Sequence, residues 1–169
     1  MEISLRGIEE SDLVRIAELA NDKEIARVAA SLPYPYTAAD ARTWYDYLQA
    51  NRHEHVFAIC ADGKMAGVIG LVHEAAHSRA ELGYWLGRAY WGKGYASAAA
   101  EMMVGYAFAS LGVNKVYANC FAVNTASRRV LQKCGLKHEG TQRRHHVRMG
   151  QTHDVLLFGL LKEDYDAHR

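Results

Sequence analysis

Proline occurs only twice in 169 residues, at Pro33 and Pro35, and cysteine only three times. No linker rich in Pro, Gly or Ser, no internal repeat and no low-complexity run interrupts the chain, so a single domain spanning 1–169 is expected. Charge of one sign is also missing: 20 basic and 19 acidic residues leave a net +1. A field that weak does not hold a nucleic-acid backbone or an anionic bilayer, so any anion must be bound by a local patch. Met1 to Asp12 alternates apolar residues with charges and lacks the unbroken apolar segment of a signal peptide or spanning helix. Cys60, Cys120 and Cys134 are odd in number, far apart and set among apolar neighbours, which suits packed, reduced thiols rather than a disulfide framework. These absences predict a cytoplasmic protein, and a composition half hydrophobic and 23% charged predicts a compact globular one.

Hydrophobic period supplies the organisation. Ile3 to Ile8 reads as a short strand, and Leu13, Ile16, Ala17 and Leu19 recur at helical spacing between Glu10 and Ala20, with Ser11 or Asp12 placed to cap the first turn. The two prolines push Leu32 and Tyr34 towards extended backbone, so Ser31 to Tyr36 is expected as a stiff aromatic loop before a helix from Thr37 to about Ala50. His55 to Ala61 and Lys64 to Val72 are strand-like and meet at Asp62-Gly63, a two-residue hairpin signal. Arg79 to Leu86 adds a strand. From Gly94 to Ser110 the only charge is Glu101, which predicts a mostly buried helix. Lys115 to Phe121 is strand-like, Asn124 to Cys134 a helix stopped by Gly135, and Leu136 to Arg148 and Asp154 to Leu161 are further strands. The expected class is α+β, centred on a mixed sheet.

Two stretches match motifs that carry chemistry. His73-Glu74-Ala75-Ala76-His77 has the form H-E-x-x-H, in which two histidines one helical turn apart hold zinc and the glutamate activates water. That chemistry needs a helix, whereas Val68 to Val72 reads as a strand and another strand follows within a few residues. The alternative is a polar hairpin tip. Gly87 to Gly94 satisfies the G-x-x-x-x-G-K spacing of a phosphate loop but puts Gly94 where a hydroxyl should meet magnesium, so nucleotide hydrolysis is excluded. The remaining physics is independent of that hydroxyl: glycines before a long helix leave backbone N–H groups at its positive end, where phosphate oxygens bind, and Lys93 adds charge. A tight turn with no ligand is the competing reading.

Glu81-Leu-Gly-Tyr-Trp-Leu-Gly through Trp91-Gly-Lys-Gly-Tyr-Ala96 and the helix behind it resemble the acetyl-CoA motif of the GNAT superfamily, [Q/R]-x-x-G-x-[G/A]. Gly94 and Ala96 fill its last defined positions, and Trp91 replaces the usual Gln or Arg. Asn124-Thr-Ala-Ser127, followed by Gly135-Leu136, is similar to the second family motif. Leu32-Pro-Tyr-Pro-Tyr-Thr with Asp40, Ala41 and Trp44, and the segment from Asp154 to Tyr165, resemble the branch containing the ribosomal-protein N-terminal acetyltransferases.

The resemblance implies a GNAT-type mixed sheet of six to seven strands flanked by about four helices, with a splayed strand pair holding the coenzyme. It implies an N-acetyltransferase that moves an acetyl group from acetyl-CoA to a primary amine by direct attack in a ternary complex. No metal, nucleic acid or membrane is implied, and the active form is a monomer or homodimer. Trp85, Leu86, Trp91, Gly92, Lys93, Gly94, Tyr95, Ala96 and Asn124 are expected to bind the coenzyme. Glu81 is the expected base, because an amine protonated at neutral pH must lose a proton before it attacks. Ser127 inherits the role of donor to the departing thiolate, since Leu131 stands where many relatives carry a Tyr. Tyr34, Tyr36 and His145 are expected along the pocket of the acceptor, a peptide N-terminus or a small-molecule amine. A zinc hydrolase and a non-catalytic acyl-CoA-binding module are the alternatives.

Overall fold

The computed structural model describes residues 2–169. In chain order its elements are β1 (Ile3–Gly7), α1 (Leu13–Ala20), α2 (Lys23–Val28), α3 (Ala38–Ala50), β2 (Glu54–Ala61), β3 (Lys64–Glu74), β4 (Arg79–Leu86), α4 (Tyr95–Tyr106), β5 (Lys115–Phe121), α5 (Thr125–Lys133), β6 (Lys137–Arg148), β7 (Gln151–Leu161) and α6 (Lys162–Ala167). The seven strands form one sheet in the order β1-β2-β3-β4-β5-β7-β6. Every neighbouring pair is antiparallel except β4–β5, so the sheet is mixed as expected.

Local chemistry explains most boundaries. Asp62 and Gly63 both take positive φ, 48° and 82°, which is what a two-residue hairpin with the twist of its strands requires. The Thr37 hydroxyl and the Asp40 carboxylate cap α3 reciprocally, accepting from Asp40 N–H at 3.2 Å and Thr37 N–H at 2.8 Å. The first helix departs from expectation. It opens as a tight turn over Glu10–Asp12, and Asp12 reaches back from inside that turn to accept from the Glu9 N–H at 2.8 Å while Ser11 caps nothing. Arg6 clamps the same carboxylate with two bonds of 2.8 Å and holds it well below the usual carboxylate range. Six α-helices form rather than about four. The additional α2 and α6 are six residues each, too short to show a hydrophobic period, and α2 depends on Asp22 accepting from Glu24 N–H at 2.9 Å.

Helices cover both faces of the sheet. On one face Ile16, Ala20, Tyr36 and Ala41 pack against Ala58, Cys60, Met65 and Val68. On the other, Ala99, Ala100, Met103 and Val104 of α4 lie in the main core with Ile69, Leu71, Leu82, Val116 and Phe158. The near-absence of charge in α4 follows from that burial. Its last turn relaxes into a π-helical Ala107–Leu111, closed by Gly112 at φ 66°. Strand β4 approaches β3 so closely that a Cβ at Gly67 would collide with the Trp85 carbonyl.

Candidate active site

The single parallel pairing sets the site. Strands β4 and β5 are in register only at Arg79↔Lys115, Ala80↔Val116 and Glu81↔Tyr117. Beyond Glu81, β4 stays with β3 as far as Leu86↔Gly67, while β5 stays with β7 as far as Phe121↔Val155. The two strands therefore diverge, leaving facing backbone edges without ladder partners. Two hollows open along the divergence, a groove of about 520 Å³ towards the start of α4 and a cleft of about 740 Å³ on the Glu81 face. They meet at Tyr84, Trp85, Asn124 and Ser127.

The groove is lined by Leu86, Trp91, Gly92, Gly94, Tyr95 and Ala96. Gly92 and Gly94 sit at φ 71° and 81°, a region that L side chains rarely adopt. Gly94 is also the residue preceding α4 and has no side chain to cap it, so the first amides of that twelve-residue helix are unclaimed. An uncapped, positive helix end behind two left-handed glycines is a cradle for phosphate oxygens. The Trp91 indole donates to the Leu86 carbonyl at 2.9 Å, tying the loop to the end of β4. Lys93 is exposed and does not line the groove, which differs from expectation because the turn between the glycines points its side chain to solvent.

The cleft gathers side chains from distant elements. Strand alternation puts Glu81, Gly83 and Trp85 on the cleft face, while Leu82 and Leu86 enter the core opposite. Tyr117 lies beside Glu81, its hydroxyl 3.0 Å from the Glu81 carboxylate and 2.7 Å from that of Glu74. Glu74 is held down to about 2 by the Arg79 guanidinium and then by that hydroxyl. Burial first and Glu74 second push the Tyr117 phenol well above its ordinary value. Val72 is in register with Glu54 on one side and Glu81 on the other, so the two carboxylate-bearing Cα atoms stand two strand spacings, about 10 Å, apart. The Tyr47 hydroxyl donates to Glu54 at 3.1 Å.

His145 and His146 line the cleft because β6 slips register between Gln142 and His146, where Arg144 takes φ 49° and donates its N–H to Asp154 at 2.7 Å. Arg148 leaves this strand to donate from Nε to the Ala26 carbonyl at 2.8 Å and from Nη2 to the Leu32 carbonyl, clasping the loop that roofs the cleft. Tyr34 and Tyr36 do not line it. Tyr34 is exposed, and Tyr36 is 5% exposed because its N–H is anchored to the Asn21 side chain at 3.0 Å and its ring joins the α1–α3 core. Trp44, Glu54 and Tyr84 line the cleft in addition to the expected residues. Asn124 caps α5, its side chain accepting from Ser127 N–H at 3.1 Å. The Ser127 hydroxyl is 2.9 Å from that of Tyr84, whose phenol burial pushes up to about 12. Leu131, 1% exposed, offers no donor.

The H-E-x-x-H stretch never becomes a helix. His73 and Glu74 end β3, Ala75–His77 is a single tight turn, and Glu74 is already held by Arg79 and Tyr117. Among the described residues, no three His, Cys, Asp or Glu side chains converge as metal ligands would.

Residues 2–137 match the family model of the acetyltransferase (GNAT) domain. The chain belongs to the GNAT acetyltransferases. It is 30% identical to the uncharacterized N-acetyltransferase p20 of Bacillus licheniformis, over 96% of this chain and 94% of p20. It is also 30% identical to the putative ribosomal N-acetyltransferase YdaF of Bacillus subtilis, over 99% of this chain and 95% of YdaF. In fold it matches the crystal structure of spermidine N-acetyltransferase from Vibrio cholerae in complex with CoA and spermine. That match has a TM-score of 0.87 and 23% identity, covering 96% of this chain and 97% of the Vibrio chain. Acetyl transfer from acetyl-CoA to an amine is thus the chemistry of this GNAT enzyme, with acetyl-CoA as co-substrate. The matched segment stops at Lys137, so the β6–β7 hairpin that walls the cleft lies beyond it.

Proposed function

We propose that this GNAT enzyme, acting as one domain over 1–169, acetylates a cationic primary amine that enters through the Glu81 cleft and meets the coenzyme where the strands part. The carrying observation is the charge of that cleft. Glu54 and Glu81 line it, and among the described residues no lysine or arginine does. Two carboxylates beside the rings of Trp44 and Trp85 attract an ammonium group and offer it an apolar wall. An anionic acceptor finds only the imidazoles of His145 and His146 there, because Arg148 is committed to backbone carbonyls and Arg143 and Arg144 stay outside the lining.

Within this reading the groove amides from Gly92 to Ala96 hold the pyrophosphate, and the unpaired edge of β4 near Trp85 and Leu86 receives the pantetheine arm. Asn124 fixes the first turn of α5. Glu81 takes the proton from the ammonium through water, and Ser127 offers a hydrogen to the departing sulfur. A cytoplasmic location is part of the proposal. It is supported by three unpaired cysteines, and no helix among the described residues is long and apolar enough to cross a membrane.

YdaF and the Vibrio enzyme bracket the acceptor, one putatively ribosomal and one binding spermine. Thiol release from acetyl-CoA should be followed with peptide N-termini, polyamines, aminoglycosides and amino acids. Acceptors with a second positive charge should give the highest kcat/KM, and a preference for acidic peptides would reject the reading.

A further inference from the structure

We propose that Tyr84 is a positioning residue for acetyl transfer, holding the Ser127 hydroxyl so that its one hydrogen points at the sulfur that leaves. This rests on the reading of Ser127 as the donor. An aliphatic hydroxyl has one hydrogen to give and two lone pairs to receive with. If Ser127 donated to Tyr84, nothing would remain for the sulfur. Either hydroxyl can donate across the 2.9 Å between them; with the more acidic phenol as donor, Tyr84 gives its hydrogen and Ser127 accepts. The Ser127 hydrogen is thereby released from Tyr84.

The geometry places that hydroxyl where the two hollows join. Tyr84 stands on the diverged part of β4, Ser127 on the first turn of α5, and both face the place where the groove and the cleft join. The Ser127 N–H is tied to Asn124 at 3.1 Å, which anchors the helix turn that carries the hydroxyl. Tyr84 reaches it from the opposite lip, across a gap with no backbone ladder. Leu131 leaves the α5 side without a phenol, and the strand supplies one from across the gap. During transfer the amine nitrogen forms the N–C bond as the C–S bond breaks. With the first ammonium proton already passed through Glu81 to solvent, the nitrogen loses its second towards Glu81 as it becomes the amide, and the sulfur keeps the electron pair, hydrogen-bonded by Ser127 until solvent protonates it. A hydrogen bond to that anion is charge-assisted, and a second one behind it strengthens the first.

The test measures kcat and KM of the full chain and of Tyr84→Phe, Ser127→Ala and the double variant, with acetyl-CoA and with acetyl-seleno-CoA, whose selenolate departs with less help. Tyr84→Phe should lower kcat about tenfold with acetyl-CoA at nearly unchanged KM, the loss of one interaction made in the transition state. The double variant should be no slower than Ser127→Ala, because residues acting as one unit are not additive. The Tyr84→Phe deficit should shrink several-fold with the selenoester. Wild-type kcat in Tyr84→Phe beside a slow Ser127→Ala would overturn the role of Tyr84 alone. Full kcat in Ser127→Ala would overturn the donor assignment and this proposal with it. Equal deficits with both donors, or an undiminished loss in the Ser127→Ala background, would make Tyr84 merely structural and overturn the proposal.

Discussion

Along the groove proposed for the coenzyme, the recognition elements are backbone: two left-handed glycines, an uncapped helix start and a strand edge without a partner. Across the same gap the acceptor cleft is made of side chains drawn from α3, β2, β4, β5 and the β6–β7 hairpin. A backbone-built site needs only that the chain can adopt a shape, so it recognises what all its ligands share. A side-chain-built site takes its character from residues that can each change separately. On the proposed assignment, one half of this enzyme suits a constant coenzyme and the other a particular amine.

Substitutions should act on one half and spare the other. The largest effect is expected from Glu81→Gln, which should lower kcat about 100-fold at neutral pH and leave CoA affinity within about twofold by calorimetry. An unchanged pH–rate profile would remove Glu81 from the mechanism. Gly94→Val forces a branched side chain into φ 81° and should weaken CoA about tenfold, the cost of roughly 1–2 kcal/mol for a left-handed residue. The acceptor KM should hold, and intact CoA binding would discard the phosphate cradle. Arg148→Ala removes the clasp on Ala26 and Leu32 and should raise the acceptor KM about fivefold with little change in CoA binding, as expected for lost bonds from a charged donor. A change in CoA affinity instead would mean that the two halves are not independent. Smallest is a pH effect on stability. Glu74 is depressed from 4.5 to about 2, so it stabilises the fold above 4.5, and that contribution fades as pH falls towards 2. Because the pair is exposed, the Tm gap between wild type and Glu74→Gln should be only a few degrees at pH 7 and should close through that window.

The same contrast explains what could be read from the sequence. One wall of the groove is a single stretch, Trp85 to Ala96, where the glycine spacing is plain and a nearly uncharged helix follows, and Asn124 and Ser127 belong to one short motif. The strands were legible because alternation and the Asp62-Gly63 turn are local signals. Glu54 and Tyr84 carried no such signal: their importance comes from being in register with Val72 and from facing α5 across a gap. Tyr36 misled because a loop aromatic beside prolines looks exposed, whereas Asn21 draws its backbone inward. Lys93 marks the limit of the local signal, since charge next to a phosphate-type turn does not decide which way the side chain leaves it.

The brief β4–β5 register has a mechanical side. Strands β1 to β4 form one stiff plate, β5 with β7 and β6 another, and three consecutive residue pairs stitch the seam between them. Parting the sheet there would break a shorter ladder than parting it anywhere else. The slot thus runs along the shortest ladder, and what spans it is the core that α4 shares with both plates, Ile69, Leu71 and Leu82 on one side and Val116 and Phe158 on the other.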